Sequence, residues 1–93
     1  MRFSSYGAFV AAMGYSLSDP SIIDRGGNSI WRISRNGNLC RFSQDGSVGV
    51  TVCRSRNGNI GYAWNVGDAN GWVGSFDSCD DAMDHADEAV FGD

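Results

Sequence analysis

The sequence contains no lysine. All 7 basic residues are arginine, and 10 of the 11 acids are aspartate. Without a lysine there is no side-chain amine to form a Schiff base. A single histidine and a single proline are present. The 3 cysteines, Cys40, Cys53 and Cys79, show no C-x-x-C spacing, which removes the usual zinc and dithiol motifs and points to free thiols in a reducing compartment. A Cys40–Cys53 bridge stays open if their strands are neighbours. No glycine-rich phosphate loop follows a strand. No apolar run is long enough to span a bilayer. The opening "MRFSSYGAFVAAMGYSLS" is interrupted by Gly7, Gly14 and several serines, so it reads as part of the fold rather than as a leader.

What is present is a 93-residue chain with 13 glycines and 3 tryptophans, the composition of one folded domain with many tight turns. Its charge is divided. From Met1 to Ile60, 7 arginines stand against Asp19, Asp24 and Asp45, a sum of +4; from Gly61 to Asp93, 8 acids stand alone, a sum of −8. Such asymmetry between halves hints at a partner.

The pattern specifies an α+β fold. Phe3, Tyr6, Val10, Met13 and Leu17 recur near helical spacing, so a helix is expected over about 4–16. Its other sides carry Ala8, Phe9, Ala11 and Ala12. A helix apolar all round is either buried or an interface, which leaves open a homodimer formed through it. "SDPSIIDRGGN" reads as a loop. From Ser29 the period becomes two, with runs separated by "NG", "DG", "NG" and "GDANG". Asn-Gly and Asp-Gly between alternating apolar residues signal hairpins with two left-handed turn positions. This predicts a four- to five-stranded antiparallel β-meander over about 29–76. Val48, Val50, Val52, Ile60, Tyr62, Trp64, Val66, Trp31 and Ile33 make its core face. The final "FDSCDDAMDHADEAVFGD" predicts an acidic amphipathic helix over about 78–91, capped by Asp77 or Ser78, with Ala82, Met83, Ala86, Ala89 and Val90 against the sheet.

Two sets of residues are candidates for function. The pentapeptide "SRNGN" occurs at Ser34–Asn38 and again at Ser55–Asn59. In a meander both copies lie at the same end of the sheet, roughly 10 Å apart. Arg35, Arg56, Asn36 and Asn57 would then gather there as an anion or phosphate site. The second set is Asp80, Asp81, Asp84, Asp87 and Glu88, a row of carboxylates on the last helix with His85 among them. Like charges at helical spacing repel by a few tenths of a kcal/mol per pair, so the row suits a basic partner surface. Asp81 with His85, and Asp84 with Glu88, are spaced for a shared ion, but no known metal-loop pattern is present and no metal or cofactor is expected. Cys79 and His85 lie six residues apart, on different sides of the helix, so they do not form a nucleophile pair. No catalytic set is found, and the chain is not expected to be an enzyme.

In size, acidity and lack of a catalytic motif the chain resembles the small phage-encoded inhibitors of bacterial defence, the anti-CRISPR proteins. The resemblance is one of class and covers no motif. It implies a CRISPR effector complex as partner, blockage of nucleic-acid recognition as mechanism, and the cytoplasm of the host bacterial cell as setting. Two other readings stand beside it. One is a nucleic-acid-binding module using Arg32, Arg35, Arg41, Arg54 and Arg56, against which the aromatic residues are expected to face the core. The other is an oligomeric structural protein held through the N-terminal helix.

Overall fold

The computed structural model describes residues 21–34 and 36–93. The expected N-terminal helix, and with it the expected dimer surface, lies outside them, as does Arg35. The described chain forms one antiparallel sheet and one helix. The strands are β1 (Ile22–Asp24), β2 (Ile30–Ile33), β3 (Leu39–Phe42), β4 (Val48–Arg54), β5 (Ile60–Val66) and β6 (Ala69–Phe76), followed by α1 (Cys79–Ala89). Sheet order follows chain order, β1-β2-β3-β4-β5-β6. The meander is as expected, but it has six strands instead of four or five. The additional strand is β1, inside the segment read as a loop. Ile23 pairs with Trp31 and Ile22 with Arg32. Three residues are too few to show a period of two.

Both copies of "SRNGN" fold the same way. Gly37 N–H donates to Ser34 O at 2.9 Å and Ser34 N–H to Asn38 O at 2.7 Å; Gly58 and Ser55 repeat this at 2.9 and 2.8 Å. The serine hydroxyls accept from the Asn38 and Asn59 amides at 3.1 and 3.2 Å. These are three-residue loops, not the expected two-residue ones. The glycine of each is left-handed, with φ of +81° at Gly37 and +84° at Gly58, and no described non-glycine residue has a positive φ. "GDANG", by contrast, is shorter as a loop than read: Val66 pairs with Ala69, so only Gly67 and Asp68 make the turn.

Alternation along the strands puts Trp31, Val50, Val52 and Tyr62 on one face, where they are buried under Ala82, Met83 and Ala86 of α1. The two alanines let the helix backbone approach the sheet, and α1 lies over β4, β5 and β6. Burial of each large side chain contributes about 1.5–3 kcal/mol. Ser78 caps the helix in extended conformation, its hydroxyl accepting from Asp81 N–H, and Asp80 and Asp81 lie in the first turn, where the helix dipole favours them.

Candidate functional site

The acidic row of α1 divides into two flanks. The flank facing β1 and β2 begins with an arginine on the wrong side of a strand. In β3, Leu39 and Arg41 point to the core face, opposite Val52 and Val50. The Arg41 side chain is only 3% exposed. A buried guanidinium requires a paired carboxylate with its remaining lone pairs satisfied. Asp87 supplies it. Arg41 Nη1 donates to Asp87 Oδ1 and to Asp93 Oδ2, both at 2.6 Å. The Phe91 ring covers the guanidinium, 4.0 Å from its centroid. Trp31 Nε1 donates to Asp87 Oδ1 at 3.1 Å, and Ser29 Oγ donates to Asp87 Oδ2 at 2.6 Å. The Asp87 carboxylate thus accepts from three different side chains.

One turn back along the helix, Arg25 reaches the same flank. Its backbone N–H is tied to Ser29 O at 2.9 Å, which fixes the β1–β2 turn. Nη1 meets Asp80 at 3.1 Å, Nη2 meets Asp84, and Nε lies 3.9 Å from Asp87. Residues 80, 84 and 87 are spaced to share one side of a helix. Much of the divided charge of the sequence is therefore used within the molecule: two arginines of the basic half clamp four carboxylates of the acidic half, Asp80, Asp84, Asp87 and Asp93.

The other flank carries Asp81, His85 and Glu88, all exposed. Asp81 and Glu88 make no ion pair among the described residues. His85 Nδ1 shares a 2.8 Å hydrogen bond with the hydroxyl of buried Tyr62. Burial pushes the Tyr62 phenol above its ordinary pKa. Phe76 packs beside both rings, 5.9 Å from Tyr62 and 5.2 Å from His85. Among the described residues, no three His, Cys, Asp or Glu side chains converge on a point that would hold a metal.

The two "SRNGN" turns do lie at one end of the sheet. A cavity of about 400 Å³ between them is lined by Gly37 and Asn38 from the first turn, Arg54 and Ile60 flanking the second, and Cys79 at the helix start. The candidate anion residues do not line it: Asn36, Arg56 and Asn57 are exposed at the turn tips. Arg54 Nη1 donates to Gly58 O at 3.0 Å. At the other end, Asp45 accepts from Ser43 and Ser47, and these bonds lower its pKa to about 2.

The arginines grouped for a nucleic-acid surface do not share one: Arg41 is in the core face, whereas Arg32, paired with Cys40, is on the opposite face. The aromatic residues are also divided. Phe42 and Trp72 point to the outer face of the sheet and are half-exposed. The Trp72 indole lies across Gly61, where a Cβ would stand 2.5 Å from the ring, and the Phe42 ring lies across Gly49 at 3.0 Å. Strand glycines covered by cross-strand aromatics keep the packing that a missing side chain would lose. All three cysteines are free. No described helix is long and apolar enough to cross a membrane. No protein-family model, no curated protein and no solved structure was found to match the chain.

Proposed function

We propose that the chain is a small protein-binding inhibitor whose helix α1 presents carboxylates to a basic surface on its partner. The observation that carries this reading is the contrast in pairing: Asp81 and Glu88 stand exposed, with no ion pair among the described residues, on a capped helix whose far side is anchored by Arg25 and Arg41. Asp80 and Asp84, at 78% and 67% exposure, add to the same field at its edge. Asp87 belongs to the fold rather than to the partner surface. Carboxylates on a rigid helix stand in for the phosphates that a nucleic-acid-binding site accepts, and their field speeds encounter with a cationic cleft. The class resemblance to anti-CRISPR inhibitors makes a CRISPR effector complex in the bacterial cytoplasm the first partner to test. Binding, without chemistry, is the activity inferred.

The test is affinity capture from bacterial lysate by the wild type and by a double variant, Asp81→Asn with Glu88→Gln. Both substitutions are on an exposed face, and the loss of the Asp81 charge from the first helical turn should cost no more than about 1 kcal/mol. The expected result is a nucleic-acid-handling protein retained by the wild type, released by moderate salt and not retained by the variant. Equal retention by both would remove the acidic face from the mechanism.

A further inference from the structure

We propose that the apolar groove between α1 and strands β5 and β6 receives an apolar side chain from a basic amphipathic segment of a partner protein; this rests on the reading of α1 as the partner-facing element. The groove has a volume of about 280 Å³. Trp64, Val66 and Val73 form one wall, His85, Ala89 and Val90 the other, and Tyr62 lies at the base. Small-molecule sites begin at about 300 Å³, so this groove fits one large side chain better than a drug-sized ligand. Two of its polar atoms, the Tyr62 hydroxyl and His85 Nδ1, already bond each other at 2.8 Å. An occupant is therefore asked mainly for apolar contact. Val66 is 46% exposed, and Ala89 is exposed as well, so the groove opens to solvent over apolar surface.

The rim supplies the charge argument. Every described residue lining the groove comes from the half of the chain, Gly61 to Asp93, that contains no arginine. Asp81 precedes His85 by four residues and Glu88 follows it by three, so both lie on its side of the helix. Asp68 sits in the β5–β6 turn, two residues beyond Val66. Arg25 and Arg41, which reach the helix from the basic half, are engaged on the opposite flank. An apolar groove edged by carboxylates that have no ion pair among the described residues matches a segment with one Leu, Phe or Met anchor between Lys or Arg residues. A few anchors seated in well-packed pockets carry most of an interface's energy.

The experiment uses the full chain and three synthetic peptides: a cationic Leu/Lys amphipathic peptide, its Leu/Glu counterpart, and a Gly/Lys peptide of equal positive charge without leucine. Binding is measured by titration, and the site by amide and indole NMR shifts. The expected result is that the Leu/Lys peptide binds, that shifts centre on Trp64, Ala89 and Val90, and that Ala89→Trp, which fills the groove, weakens it on the order of tenfold. Val66→Thr, which keeps the shape of the wall but not its apolarity, should weaken it in the same sense and guards against a folding artefact in the first variant. The proposal is overturned if both variants bind as the wild type does, if the Leu/Glu peptide binds equally well, if the shifts map to the outer sheet face, or if the groove resonances move with protein concentration alone, which would name a second copy as occupant. The Gly/Lys peptide separates the two levels. If Asp81→Asn with Glu88→Gln weakens it while the groove variants leave the Leu/Lys peptide unchanged, the groove reading fails and the acidic-face reading stands. If no peptide responds to the loss of those charges, the acidic-face reading fails.

Discussion

The two flanks of α1 carry similar residues and have opposite fates. On one, Asp80, Asp84 and Asp87 are held by Arg25 and Arg41, and Asp87 is further fixed by Trp31 and Ser29. On the other, Asp81 and Glu88 have no ion pair among the described residues and stand beside an apolar groove. Composition alone does not distinguish them. What separates them is which sheet residues the helix crosses: arginines on the β1–β3 side, apolar and aromatic side chains on the β5–β6 side. An acidic helix can thus be structural along one edge and available along the other.

The comparison breaks most sharply at Asp87. Asp87→Asn takes from the buried Arg41 guanidinium a charged partner 2.6 Å away, where Asp93 is partly exposed, a loss of about 3 kcal/mol. Urea unfolding should show a lower midpoint with an unchanged slope; a loss below half that size would mean the clamp is not what holds the helix edge. Arg25→Gln should cost under about 1 kcal/mol, because Asp80 and Asp84 remain largely in water, and most of that cost should vanish at high salt. The smallest effect isolates a carboxylate outside both flanks. The Asp45 pKa is lowered in the folded chain to about 2, so its contribution to stability is present above pH 4 and is lost as pH falls through 2. The stability difference between wild type and Asp45→Asn should therefore be constant near neutrality and shrink over that window, and a difference independent of pH would show that the Ser43 and Ser47 bonds do not act through charge.

Much of the fold is legible in the residues. The Asn-Gly and Asp-Gly dipeptides mark three of the turns, the alternation in "VGVTV" and "IGYAW" assigns the core face, and Ser78 is readable as a cap. β1 is not legible, because "IID" has no room to show a period. The loop type is not legible either: Asn-Gly suits both a two-residue turn and a three-residue turn closed by one left-handed glycine, and strand twist decides between them. At the site, the acidic row is plain in the sequence but its division is not. Helical spacing says which residues share a side, and only the packing angle says what that side meets. One signal was available. In "LCRF", Arg41 alternates with Leu39 and so falls on the apolar face, and an inward arginine calls for a buried carboxylate. "WVGSF" held a second, since an inward Val73 requires an outward Trp72.

The order of the strands has a consequence for time rather than for energy. Each strand pairs only with its neighbour in sequence, so the sheet can assemble by closing short loops one after another, a topology that favours fast folding. The clamp is of another kind: Arg41 and Asp87 are 46 positions apart, Arg25 and Asp84 59. Contacts of such separation are expected to form after the sheet has brought the halves of the chain together. Interactions absent from the barrier act on escape from the native state and leave entry to it unchanged. On this view the arginine clamp sets how long the molecule stays folded, and the hairpin turns set how soon it gets there.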